Sequence, residues 1–149
     1  YGTGKAFMHS HTYSGNPLAC SAANAVLDIM EDGVVLKQAQ ENAIYFNNLI
    51  KEKFLSHKNV GEVRHIGLIN AIELVEDKQS KKPFDSRLRT GYQIYKKALM
   101  EGVILRPLGD VIYFNPPLIM ERKDMDYVTD IAVKCLNEIL PQQNFALNK

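Results

Sequence analysis

The chain has no tryptophan and only two cysteines among its 149 residues. Cys20 and Cys135 stand far apart, with no Cys-x-x-Cys spacing. That argues against a disulfide framework or a zinc ribbon and fits a reducing, cytoplasmic setting. Both fall on the apolar faces of expected helices, so both read as buried free thiols. Charge of one sign is lacking too: 18 Lys and Arg against 17 Asp and Glu leave a net +1. No basic field therefore points to nucleic acid. No apolar run approaches the roughly 18 residues of a membrane span, and no charged-then-apolar leader is present. His9 and His11 form a His-x-His pair, but no third ligand of suitable type stands nearby, so a metal site is not expected. There is no internal repeat and no low-complexity segment.

What is present suits one globular domain with a sizeable core: 46% of residues are hydrophobic and 23% charged. Tyr1 to Lys5 read as the interior of a longer chain. Residues 1–15 carry Gly2, Gly4, Ser10, Ser14 and Gly15 without periodicity and read as a loop or linker. Asn16-Pro17 is a helix start, because Asn is a good N-cap and Pro is preorganised for the first helical position. Leu18, Ala22, Ala25 and Ile29 follow at helical spacing until Asp32-Gly33. A second helix, about 34–54, carries the stripe Leu36, Ala39, Ala43, Phe46, Ile50 and Phe54. Strands are expected at 60–66 and 68–75, punctuated by Gly67. A third helix, about 86–101, has Leu88, Tyr92, Tyr95 and Leu99 on one face and ends at Gly102. Strands at 103–105 and 111–114 flank a turn at 107–110. A last helix, about 123–140, is stopped by Pro141. The domain proper is 16–141, with a helical connector at 16–54 and an α/β unit at 60–140, and 142–149 is a tail. Strands in hairpin-like pairs separated by a helix predict an α/β two-layer sandwich, with a mostly antiparallel sheet covered by helices.

Three places invite chemistry, and each has a plainer alternative. Thr12 and Asn16 precede a helix N-terminus, which either is merely capped or holds a phosphate on its free N–H groups. Arg106 ends a short apolar strand before a proline. There it forms either a structural ion pair or a bidentate grip on a planar carboxylate. Tyr113 is a half-buried strand aromatic unless its hydroxyl is used. Asn70 and Glu73 fall on opposite faces of their strand, and neither takes a role from the pattern alone.

The segment Phe7 to Cys20, with Thr12 before Gly15-Asn16-Pro17, resembles a segment of the class III, pyridoxal-phosphate-dependent aminotransferases. Gly67-Leu68 with Ile72-Glu73-Leu74, and Gly102 to Gly109 with Tyr113 to Leu118, are similar to later motifs of that family in the same order. The resemblance covers about Phe7 to Leu140. It implies the C-terminal small domain of a fold type I enzyme that works as a homodimer with its own large domain and uses pyridoxal 5'-phosphate (PLP). It implies that Thr12 and the backbone of His11 meet the cofactor phosphate in the partner's site. Arg106 would bind a distal substrate carboxylate, and Tyr113 would stand near the substrate, where members acting on α-amino acids carry an arginine. The closest branch transfers an amino group from S-adenosylmethionine to 8-amino-7-oxononanoate in biotin synthesis. The alternatives are a member acting on an ω-amino acid or diamine, or a non-catalytic α/β interaction domain. The family's cofactor-linking lysine lies upstream of the Thr12 segment, and no lysine here matches it. This stretch alone is therefore expected to be inactive and to hold no catalytic residue.

Overall fold

A computed structural model describes the backbone of residues 12–146 and the side chains of residues 12–140. His9, His11 and the 147–149 end of the tail lie outside the described residues. The chain divides into two compact units, Tyr1–Val35 and Leu36–Lys149.

In the first unit, helix α1 spans Pro17–Met30. Asn16 is its N-cap: its Oδ1 accepts from the Ala19 N–H at 3.1 Å. The helix ends at Gly33 (φ +73°), whose N–H donates to the Met30 carbonyl at 3.0 Å. The expected inner stripe of this helix is in fact exposed. None of its residues is buried, and Leu18, Val26, Leu27 and Ile29 face solvent. Cys20 is exposed as well, against expectation, because nothing described in this unit packs on the helix.

The second unit is built on a four-stranded, fully antiparallel sheet of order β1-β2-β4-β3: β1 Val60–Ile66, β2 Ile69–Leu74, β3 Arg106–Leu108 and β4 Val111–Phe114. Helix α2 (Val34–Phe54) enters it, α3 (Thr90–Met100) connects the two hairpins, and α4 (Arg122–Ala146) follows β4. The α/β architecture with an antiparallel sheet is as the sequence predicts. Alternation along the strands sends Asn70, Ile72, Leu74, Ile112 and Phe114 inward. They join Phe46, Ile50 and Phe54 of α2, Ile94 and Ala98 of α3, and Met125, Leu136 and Leu140 of α4 in one core. Phe46 meets Phe114 edge-on at 5.6 Å, a geometry that adds about 0.5–1.5 kcal/mol to the burial itself.

Three boundaries differ from the sequence reading. The third strand is Arg106–Leu108, not 103–105, since the two-residue turn Gly109-Asp110 pairs Leu108 with Val111 and so sets the register. Pro107 is tolerated because β3 is the sheet's edge strand. The third helix is broken: Ser86–Leu88 is a 3-10 turn, Arg89 is left-handed (φ 49°), and α3 begins at Thr90. That break re-phases the helix, so Thr90, Gly91, Ile94 and Ala98 are buried while Tyr92 and Leu99 are exposed. Finally, α4 runs through Pro141, whose φ of about −65° is itself helical. An interior proline gives up one backbone hydrogen bond and crowds the carbonyl four residues before it, a local cost of about 3 kcal/mol.

Candidate functional site

Arg106 and Tyr113 are directly opposed across the β3–β4 hairpin. Both lie on the outer sheet face, away from the core. Seven residues separate them in sequence, and the register brings the Arg106 guanidinium carbon to 5.7 Å from the Tyr113 ring centroid. An exposed contact of this kind contributes about 0.5–1 kcal/mol, enough to bias the arginine's direction without removing its charge. Among the described residues no carboxylate pairs with Arg106, which disfavours the structural ion-pair alternative. The acidic residue of the neighbouring strand, Glu73, is taken up by Arg64, which also binds Glu62 at 2.9 Å.

A groove of about 460 Å³ runs along β3. Its apolar walls are Ile104, Leu105, Pro107 and Leu108, and its polar side chains are Arg106, Tyr113 and Tyr95. Among the described residues no acidic side chain lines it. Tyr95 enters from α3, and the sequence reading placed it in a packing stripe. The missed signal was the Arg89 break, which turns Ile94 inward and leaves Tyr95 half-buried toward the strand edge.

The hairpin carrying this pair is anchored from behind. The Asp110 carbonyl accepts from Leu74 N–H at 2.9 Å, and its Oδ1 accepts from Gly91 N–H at 3.3 Å. Burial pushes the Asp110 carboxyl above its ordinary range. Gly91 packs so tightly on the turn that a Cβ there would lie 2.3 Å from the Gly109 carbonyl oxygen.

Thr12 stands in the exposed turn before α1, far along the sequence from this pair and in the other unit. Its hydroxyl has no hydrogen-bond partner among the described residues, so it is free to donate. The helix end offers less than its position suggests. Pro17 has no N–H and Asn16 occupies that of Ala19, which leaves Leu18 among the first three helical residues. Asn70, left without a role above, is fully buried. Its Nδ2 donates to Asn47 at 2.8 Å and to the Leu68 carbonyl, while its Oδ1 has no partner. That environment is structural. Among the described residues no group of His, Cys, Asp and Glu is arranged to hold a metal, and no helix is long and apolar enough to cross a membrane.

The antiparallel α/β unit and its sequence are shared with a known family. The chain belongs to the class III aminotransferases: the family model "Aminotransferase class-III" matches residues 2–136. It is 40% identical over 139 residues to the adenosylmethionine-8-amino-7-oxononanoate aminotransferase of Aquifex aeolicus, covering 93% of this chain and 30% of that protein. It is 34% identical over 133 residues to the diaminobutyrate--2-oxoglutarate transaminase of Halomonas elongata, covering 88% of this chain and 28% of the relative. The solved adenosylmethionine-8-amino-7-oxononanoate aminotransferase of Methanocaldococcus jannaschii superposes with a TM-score of 0.80 at 36% identity, covering 93% of this chain and 31% of its own. A PMP-bound aminotransferase from Vibrio fluvialis gives 0.81 at 32% identity, covering 91% and 30%. The chain thus spans about 30% of the length of the curated relatives it matches. The family is PLP-dependent, in line with the cofactor expectation.

Proposed function

We propose that this chain is the C-terminal part of a longer PLP-dependent aminotransferase that moves an amino group from S-adenosylmethionine to 8-amino-7-oxononanoate. The observation that carries this reading is Arg106: a guanidinium without an acidic partner, opposite Tyr113, in a groove with apolar walls and no carboxylate. That setting suits a carboxylate at the end of an alkyl chain, which is how 8-amino-7-oxononanoate ends. Tyr113 backs the guanidinium and supplies a further hydroxyl.

The residues present also suit the cofactor. Thr12 keeps an unused hydroxyl donor in an exposed turn, as a phosphate contact requires, with the Leu18 N–H as a supplementary donor; the His11 backbone contact that the resemblance implies lies outside the described residues. Bound PLP supplies the amine carriage and the electron sink of transamination. The chain's own residues hold the phosphate at Thr12 and the far end of the substrate at Arg106, and neither is a proton carrier. The cofactor-linking lysine belongs to the preceding large domain, so the 149-residue stretch alone is inactive. The bare apolar side chains of α1 fit a helix covered by that domain or by the second subunit of a homodimer, in whose site Thr12 acts. Two unpaired thiols fit a cytoplasmic enzyme.

The test is Arg106→Ala in the full-length enzyme. Charge-assisted hydrogen bonds are worth about 1.5–3 kcal/mol, so KM for the keto acid should rise roughly 10- to 150-fold, with that for the amino donor little changed. Equal effects on both substrates would remove the assignment. The similarity to the Halomonas elongata transaminase supports a second reading, a member acting on a diamine or ω-amino acid. Strong activity with such donors and none with S-adenosylmethionine would favour it.

A further inference from the structure

We propose that Tyr95 is a specificity-determining residue of the Arg106 groove, giving a hydrogen bond to the same anionic end of the substrate, a carboxylate borne on an alkyl chain. This inference rests on the reading of Arg106 as the carboxylate grip.

Tyr95 lies on α3 and lines the same groove as Arg106 and Tyr113. Its ring is half-buried and braced by the Tyr92 ring at 5.8 Å, so its position is set by packing on the helix. Its hydroxyl has no hydrogen-bond partner among the described residues. Neither has that of Tyr113. A Tyr held at a partly buried site normally finds a partner for its O–H. Two such hydroxyls in one groove with an arginine form a set of donors with no acceptor among the described residues.

The Tyr92 ring that braces Tyr95 is itself held by Arg89 at 4.2 Å and lies near Lys96 at 5.9 Å, which steadies the Tyr92–Tyr95 pair. An anion entering the groove therefore meets donors from β3, β4 and α3. A substrate of equal length ending in a neutral or cationic group leaves these donors unanswered. Discrimination of this kind exceeds what apolar walls supply, because a site arranged to hydrogen-bond an anion rejects an analogue that lacks the acceptor, while a missing methylene costs little.

The experiment is steady-state kinetics of the full-length enzyme with Tyr95→Phe, which removes the hydroxyl alone, beside Arg106→Ala. Octanoate and octanol serve as competitive probes of the groove. For Tyr95→Phe, KM for the keto acid and the inhibition constant of octanoate both rise roughly 3- to 10-fold. The inhibition constant of octanol and KM for the amino donor stay within twofold. A purely structural role for Tyr95 would move the octanol and octanoate constants together, and that result overturns the proposal. If Arg106→Ala raises the keto-acid KM while Tyr95→Phe leaves it unchanged, Tyr95 is no determinant and the groove reading stands. If neither variant moves it, the reading of Arg106 itself fails.

Discussion

Gly91→Ala is the perturbation whose sign distinguishes local from tertiary reasoning. Gly91 sits in the first turn of α3, where replacing glycine by alanine ordinarily stabilises a helix by about 0.5–1 kcal/mol. Here an added Cβ would stand 2.3 Å from the Gly109 carbonyl oxygen. That is about 1 Å inside the roughly 3.3 Å of an ordinary C–H···O contact. The obstacle is backbone, so no rotamer change relieves it. Either α3 retreats from the hairpin or the Gly109-Asp110 turn shifts, and both loosen the Gly91 N–H to Asp110 hydrogen bond. Overpacking costs about 1–3 kcal/mol, with the upper end apt against a carbonyl, so the net loss after the propensity gain is about 1–2 kcal/mol. For a domain of this size that lowers Tm by roughly 3–10 °C. Thermal unfolding followed by circular dichroism measures it. Gly67→Ala is the control: Gly67 has φ +54° but open space around its Cβ position, so it loses about 1–2 kcal/mol by backbone strain alone and leaves the hairpin unmoved. On the proposed role of Arg106, Gly91→Ala in the full-length enzyme should also raise KM for the keto acid, because the displaced turn closes the hairpin that carries Arg106, whereas Gly67→Ala should not. A Gly91→Ala protein as stable as wild type, or more so, would refute the close approach of α3 to the turn.

Two further outcomes follow from the same structure. Burial lowers the His57 imidazole below its ordinary value, with Lys58 and Lys78 adding to the shift. The unfolded chain then binds the proton more readily than the folded one, and stability falls as pH drops through about 6.5. Denaturant midpoints at pH 7.5 and 5.5 should converge in His57→Gln, and an unchanged gap would exonerate this residue. Asn59 is buried, and its side chain donates to the carbonyls of Val75 (2.9 Å) and Glu76 (3.0 Å), tying the start of β1 to the end of β2. Asn59→Ala leaves both carbonyls without this donor and should cost about 1–3 kcal/mol in urea unfolding, and a loss below 0.5 kcal/mol on that order-of-magnitude scale would show that water replaces it fully.

Much of this molecule is legible in order of residues alone. Asn16-Pro17 announces α1 because a capping side chain and a preset φ act within one turn of chain. The stripe Ala39, Ala43, Phe46, Ile50 and Phe54 marks the inner face of α2, since helical spacing is a local property. Strands β1 and β4 are read to the residue. The resemblance that identified the family rests on such local motifs, and it singled out Thr12, Arg106 and Tyr113 as residues to watch.

What the tertiary structure decided is whatever depends on a partner distant in sequence. The 103–105 run is apolar enough for a strand, yet pairing with β4 across Gly109-Asp110 moves the strand to Arg106–Leu108 and sets Arg106 opposite Tyr113. Leu88, Tyr92 and Leu99 look like a core stripe, but the left-handed Arg89 turns another face inward and brings Tyr95 to the groove. The apolar pattern of α1 is a real helix signal that says nothing about what covers it, and none of its residues is buried. Periodicity reports how a segment coils. Register, helix phase and burial are set by hydrogen bonds and contacts across the fold, and these placed the arginine and the two tyrosines in one groove.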